Sequence, residues 1–165
     1  MHITFEALSE SHQIPVIDIY NYYVRSGTAA FPAEPVPYES FSRFLNIAKS
    51  YPAYAVVSDD NTIVGFCMLS EYIPHSTFQM TASLTYFLSP DYTGKGIGSM
   101  CIKKLEEEAK KRNISNLISD VSSENTGSIN FHKKHGFTVI GELKDVAAKF
   151  GRNFGLVLMQ KRMMG

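Results

Sequence analysis

Apolar residues recur along this chain in two rhythms, and the switch between them divides it into strands and helices. Alternating or continuous apolar runs mark strands at Met1–Phe5, Ala53–Ser58, Ile63–Tyr72, Ala82–Leu88, Asn116–Ser122, Phe137–Leu143 and Phe154–Lys161. Helical spacing fills the intervals. Ser9 or Ser11 can cap a first helix with Pro15 in its first turn, turning Ile14, Ile17, Tyr20 and Val24 inward and ending near Gly27. Tyr38–Tyr51 reads as a second helix, Ile97–Arg112 as a long third and Thr126–His135 as a short fourth. Asp59-Asp60-Asn61 has the chemistry of a hairpin turn. The proline-rich run Phe31–Pro37 is long enough to be functional rather than a mere connection. The resulting order is β-α-α-β-β-β-α-β-α-β-β, without repeats or low-complexity linkers.

Composition adds bounds rather than a function. A chain of 165 residues with 44% hydrophobic content can bury a substantial core, and one domain over residues 1–165 is expected. The formal net charge is zero, which argues against nucleic acid as a main partner. Cys67 and Cys101 sit in apolar segments and read as reduced packing residues of a cytoplasmic protein. No apolar run reaches the ~18 residues of a membrane span, and no signal peptide opens the chain. No membrane partner is expected.

The chemistry concentrates between strand four and the third helix, in Ser89-Pro90-Asp91-Tyr92-Thr93-Gly94-Lys95-Gly96-Ile97-Gly98-Ser99. Glycines at alternate positions let backbone turn sharply and approach a ligand, and the helix that follows points its positive end at the same place. The run therefore reads as a phosphate site made of backbone N–H groups. It is not a P-loop, because Gly96 follows Lys95 where Ser or Thr is needed and Ser89 stands in place of the first glycine. Its spacing and mid-chain place also differ from the dinucleotide fingerprint. Downstream, in Asn125-Thr126-Gly127-Ser128-Ile129-Asn130-Phe131-His132-Lys133-Lys134-His135-Gly136-Phe137, Asn125 can cap the fourth helix and Gly136 can end it in a left-handed turn.

Together these two segments resemble the GNAT superfamily of N-acetyltransferases, the first its pyrophosphate loop and the second its Asn-x-x-Ala-x-x-x-Tyr-x-x-x-Gly-Phe segment. Thr93 departs from the family's usual Gln or Arg, Ser128 from its alanine and His132 from its tyrosine. The resemblance covers essentially the whole chain. It implies an α/β (in some schemes α+β) fold with a mixed, mostly antiparallel seven-stranded sheet, helices on both faces and splayed strands four and five. It also implies acetyl-CoA as co-substrate, with Phe87, Leu88, Thr93, Gly94, Lys95, Gly96, Ile97, Gly98, Ser99, Asn125 and Ser128 as binding residues and Lys134 available to the 3′-phosphate. A backbone N–H near Phe87 is implied as the donor to the thioester carbonyl.

Tyr22-Tyr23-Val24, Phe31, Glu34-Pro35, Leu88-Ser89-Pro90, Lys149-Phe150-Gly151 and His132 resemble the phosphinothricin and methionine sulfoximine acetyltransferase branch. That branch acetylates the α-amine of small amino-acid analogues and is commonly homodimeric. The implied reaction is direct attack by a small primary amine in a ternary complex. A protein N-terminus or lysine is an alternative acceptor, and a non-catalytic CoA-binding module an alternative class. Where the branch carries a glutamate on strand four, this chain has Ser83, whose hydroxyl cannot replace a carboxylate as base. Ile73 and His75 stand where arginines often hold a carboxylate, and Phe154-Gly155 replaces a frequent His-Asp pair.

Acyl transfer to an amine needs a neutral amine, a donor for the developing oxyanion and a proton or electrostatic support for the departing sulfur. Glu71, expected where strand three reaches the cleft, is the first substitute base, and His75 the second. Each also reads as a solvated loop residue. His132 is expected at the leaving sulfur, as acid, unless it is a helix-surface histidine. Phe31, Tyr72, His75, Phe78 and Ser83 are candidates for an amine pocket, although the aromatic residues fit a core equally well. His132-x-x-His135 has the spacing of a metal pair but lacks nearby Cys, Asp or Glu, so no metal site is expected.

Overall fold

The computed structural model describes residues 2–163. Its elements are β1 (Thr4–Ala7), α1 (Gln13–Ser26), α2 (Phe41–Ala48), β2 (Ala53–Val57), β3 (Ile63–Glu71), β4 (Thr81–Leu88), α3 (Ile97–Lys111), β5 (Asn116–Ser122), α4 (Thr126–Lys134), β6 (Thr138–Lys149) and β7 (Arg152–Arg162). They build one seven-stranded sheet in the order β1-β2-β3-β4-β5-β7-β6. Every neighbouring pair is antiparallel except β4–β5, which is parallel. The architecture expected from the sequence is the one observed.

Two apolar layers sandwich the sheet. On one face α1 and α2 pack Val16, Ile17 and Phe41 against Ala55, Phe66 and Met68. On the other, α3 lays Ile97, Cys101, Ile102 and Leu105 over Leu69, Leu84 and Leu117. Both cysteines are free and completely buried in this second layer. Among the described residues no helix is long and apolar enough to cross a membrane.

Three local readings need correction. Ile14 does not face the core: it is 57% exposed, while Val16 and Ile19 are buried alongside Ile17 and Val24. A short 3-10 turn, Glu10–His12, precedes the helix and puts His12 inward instead, its Nε2 3.0 Å from Glu6. The second helix is shorter than expected, since Tyr38–Ser40 form a 3-10 turn before Phe41. The first strand is Thr4–Ala7, and its expected start at Met1 lies outside the described residues.

The largest departure is β6, expected to end at Leu143 but continuing to Lys149. Its polar residues Glu142, Lys144 and Asp145 hide the strand because it is an edge, exposed along most of its length and interrupted twice in register. A two-residue turn joins it to β7. Phe150 (φ 55°) and Gly151 (φ 74°) both adopt the left-handed conformation that such a hairpin requires.

Candidate active site

β4 and β5 pair over three rungs only, Thr81–Asn116, Ala82–Leu117 and Ser83–Ile118. Beyond them β5 stays with β7 and β4 stays with β3, so the two strands diverge and open a cleft through the sheet. A cavity of about 360 Å³ occupies this gap. Tyr86, Asn125, Ser128 and His132 line it on the α3/α4 side; Tyr20, Tyr23, Phe44, Met68 and Thr85 line it on the α1/α2 side.

Divergence frees backbone groups on β4. The Ser89 N–H donates to Val64 O at 2.7 Å, so the alternation of an antiparallel ladder turns residues 88, 86 and 84 away from β3 and toward the gap. Leu88 O already points there and accepts from the Tyr23 hydroxyl. The donors available to a carbonyl in the cleft are therefore the N–H groups of Tyr86 and Leu88. Phe87 turns its own N–H to β3 and gives its ring to the cavity wall, packing against Tyr20 and Tyr23.

The glycine loop lies beside the cleft. Gly94 (φ 72°) and Gly96 (φ 83°) are left-handed, and a Cβ at either would meet no protein atom within 4 Å. Gly96 is the N-cap of α3, whose first turn holds no acidic residue. The first N–H to bond within α3 is that of Met100, to Gly96 O, so those ahead of it stand without intrahelical partners at the positive end of a 15-residue helix, a fit for a diphosphate. Thr93 reaches the cavity, and the Lys95 ammonium lies 5.4 Å from the Tyr92 ring. Ile97 is buried core. Gly98 serves packing instead. Its missing Cβ makes room for the Phe131 ring, 3.1 Å from where that atom would lie, and so lets α3 approach α4. Ser99 Oγ bonds His135 Nε2 at 2.8 Å, which brings the end of α4 and exposed Lys134 alongside the loop.

At the other end of α4, Asn125 Oδ1 accepts from the Ser128 N–H at 3.2 Å, capping the helix and leaving the amide at the cavity wall. His132 is 2% exposed and fully partnered, so it is not a helix-surface residue. Its Nδ1 lies 2.7 Å from Ser128 O, which can only accept; Nδ1 therefore carries the proton of the neutral ring. Nε2 then accepts from the Ser119 hydroxyl at 3.2 Å. Burial lowers the imidazole pKa, against the raising effect of the Ser128 bond. The neutral form dominates around neutral pH, which does not suit direct proton donation. Beside it stands Tyr86, its ring 5.7 Å from that of His132 and its phenol held protonated by burial.

The α1/α2 side is closed by residues 27–31. Buried Lys149 donates from Nζ to Gly27 O at 2.7 Å and Ala30 O at 2.9 Å, and loss of water lowers its pKa. Thr28 Oγ1 lies 2.6 Å from Ser122 Oγ and 3.0 Å from Glu124 Oε1, and Arg152 grips the same carboxylate through two nitrogens. The segment so held delivers Ala29, Ala30 and Phe31 to the cavity, with Phe31 stacked on Phe154.

Several candidates lie elsewhere. Glu71 does not reach the cleft: antiparallel pairing sets it against Ala82, at the closed end of β4. Tyr72, His75 and Phe78 follow it in the β3–β4 loop and do not line the cavity. Ser83 sits on the last rung before divergence, opposite Ser70, which does line it. Two groups that spacing does not single out, Tyr86 and Asp120, do reach the cavity wall. An aspartate in the strand Asn116–Ser122 is the one signal of them that the sequence carries.

A through-sheet cleft between diverging parallel strands, flanked by a helix start with free N–H groups, has room for a thioester carried on a long phosphorylated arm. The chain belongs to the acetyltransferase (GNAT) family, whose model matches residues 16–137. It is an acetyl-CoA-dependent N-acetyltransferase. It is 34% identical over 147 residues to a phosphinothricin N-acetyltransferase of Alcaligenes faecalis, covering 87% of this chain and 74% of that enzyme. It is 26% identical to an L-methionine sulfoximine/L-methionine sulfone acetyltransferase of Pseudomonas aeruginosa, over 88% of this chain and 86% of that one. The fold matches that of a Sinorhizobium meliloti phosphinothricin acetyltransferase solved with acetyl-CoA, with TM-score 0.93 and 22% identity over 99% of this chain and 89% of that chain.

Gly96→Ala puts a methyl group into the space a diphosphate would fill. Calorimetry is expected to show acetyl-CoA affinity weakened about tenfold, roughly the worth of one charge-assisted hydrogen bond. The left-handed backbone adds about 1–2 kcal/mol of destabilisation, read from the melting temperature. Unchanged affinity in the folded variant would exclude the loop from diphosphate binding.

Proposed function

We propose that this enzyme transfers the acetyl group of acetyl-CoA to the primary amine of a small amino acid or amino-acid analogue, by direct attack in a ternary complex. The observation that carries the reading is a cavity lined from both faces of the sheet, so that a thioester held on the α3/α4 side would meet an amine held on the α1/α2 side. The residues that would hold the co-substrate are the 94–99 loop, Thr93, Leu88, Asn125, Ser128 and, at its phosphorylated end, Lys134. Holding both partners side by side supplies much of the acceleration. Tyr86 and Leu88 N–H groups support the carbonyl oxygen as charge develops. The relatives named above act on amino-acid analogues, which supports the acceptor class. One observation favours a second acceptor, an amine without a carboxylate: among the described residues, no Lys or Arg lines the cavity to bind an anion.

Thiol release from acetyl-CoA, measured with L-amino acids, methionine sulfoximine, phosphinothricin, simple aralkyl amines and an N-terminal peptide, tests this. Turnover of the amino acids or analogues is expected; turnover of the peptide alone would overturn the reading. His132 we assign to the leaving-sulfur side as a neutral ring that holds the Ser119 hydroxyl and packs beside Tyr86, rather than as an imidazolium acid. His132→Gln should lower kcat by about tenfold to a hundredfold through misplacement, without removing a limb from the pH profile. Loss of the limb in the variant would restore the imidazolium role.

The reading extends to a cytoplasmic homodimer. Two unpaired, fully buried cysteines suit a reducing compartment. The edge strand β6 exposes the apolar side chains Ile140, Leu143 and Val146 by 61%, 47% and 53%, which a second copy would cover. Light scattering at micromolar concentration is expected to give twice the chain mass, and Ile140→Lys to give the monomer. A wild-type monomer would sink this assignment.

A further inference from the structure

We propose that Asp120 on β5 is the general base that takes the proton of the acceptor amine, a role that rests on the amine-acetylation reading above. The last rung of the β4–β5 pair joins Ser83 to Ile118, and side chains in register on neighbouring strands share a face. Asp120 lies two residues beyond Ile118 on that face, just past the point where the strands separate. The face is the α1/α2 side, because Ser122, two residues further, meets Thr28 there. The carboxylate missing at Ser83 thus has a counterpart across the cleft, on the neighbouring strand and on the acceptor side.

The fold gives Asp120 no other employment. An aspartate is a poor strand residue, and among the described residues it forms no ion pair or side-chain hydrogen bond. It is also the one acidic side chain among the described residues lining the cavity. The same cavity is lined on this side by Tyr20 and Tyr23 from α1, Ile47 from α2 and Thr85 from β4, and the β7 partner of Asp120 is Leu158. None of these carries charge near neutral pH, since burial raises both tyrosines further. Asp120 stays exposed at the open cleft, and the partial loss of water there raises its carboxyl in the direction a base needs.

The step balances without a further reactant. An ammonium substrate gives one proton to the Asp120 carboxylate, and solvent later removes it. The neutral nitrogen forms the C–N bond to the acetyl carbon while the C–S bond breaks with its electron pair on sulfur. As the amide forms, the second nitrogen proton passes through solvent to the departing sulfur, which is released as the thiol of CoA.

Asp120→Asn keeps the shape of the side chain and removes the base. With an amine turned over by the wild type, kcat at neutral pH should fall about a hundredfold or more, while KM for acetyl-CoA stays unchanged. Raising the pH neutralises the amine in solution, so the variant should gain on the wild type and the deficit should shrink toward the amine's own pKa. A deficit constant with pH would overturn the base role, as would a loss confined to KM for the amine, which marks a binding anchor. An unimpaired variant beside an active wild type overturns Asp120 alone. A wild type inactive on every amine overturns the acetylation reading and this proposal with it.

Discussion

The site exists because β4 and β5 stop pairing after Ser83 and Ile118, and the rest of the molecule is arranged around the consequences of that break. A sheet that loses a ladder leaves N–H and C=O groups facing a gap, and buried backbone polar groups without partners are destabilising. Here they are satisfied in two ways. Tyr23 reaches across from α1 to Leu88 O, and the remaining donors on β4 face a cavity where a thioester carbonyl can accept. β4 keeps its partner β3 and β5 its partner β7, paired from Asn116–Arg162 to Ser122–Leu156, so each diverging strand loses its ladder along one edge only.

Polar side chains secure the two walls of the gap. On the α3/α4 side, His132 spans Ser128 and Ser119 and so ties α4 to β5, a buried ring satisfied at both nitrogens. On the α1/α2 side, Lys149 and the Thr28–Ser122–Glu124–Arg152 chain fasten residues 27–31 to the β5–α4 junction and the β6–β7 hairpin. These contacts join residues far apart in sequence, such as Thr28 with Ser122 and Gly27 with Lys149. Rigid walls of this kind favour a preorganised site over one that must close on its substrate.

The division between the two faces also organises the chemistry. Even-numbered β4 residues and odd-numbered β5 residues look toward α3 and α4, where a thioester and its phosphorylated arm would lie. Their neighbours look toward α1 and α2, where the acceptor would lie. A carboxylate can therefore move from β4 to β5 and still serve the same space, provided it stays on the acceptor face. This is the physical sense in which Ser83 and Asp120 belong to one problem.

Local chemistry in the sequence determined much of this protein. The seven strands and four helices follow from apolar period, the left-handed turn ahead of α3 from Gly94 and Gly96, and the α4 cap from Asn125. Each of these depends on residues close together in the chain, which is why spacing alone revealed them. The tertiary structure decided what spacing cannot express. Whether Glu71 meets the cleft depends on which end of β3 lies against the closed end of β4, a matter of strand direction across a hairpin. Whether His132 is a surface residue or a buried neutral ring depends on Ser119, from another strand, and the extent of β6 depends on its being a solvent-exposed edge. Asp120 is an odd residue in an apolar strand until the divergence of β4 gives it a cavity to face. Its surroundings come from elements distant in sequence, and burial and field are properties of that assembly rather than of the local chain.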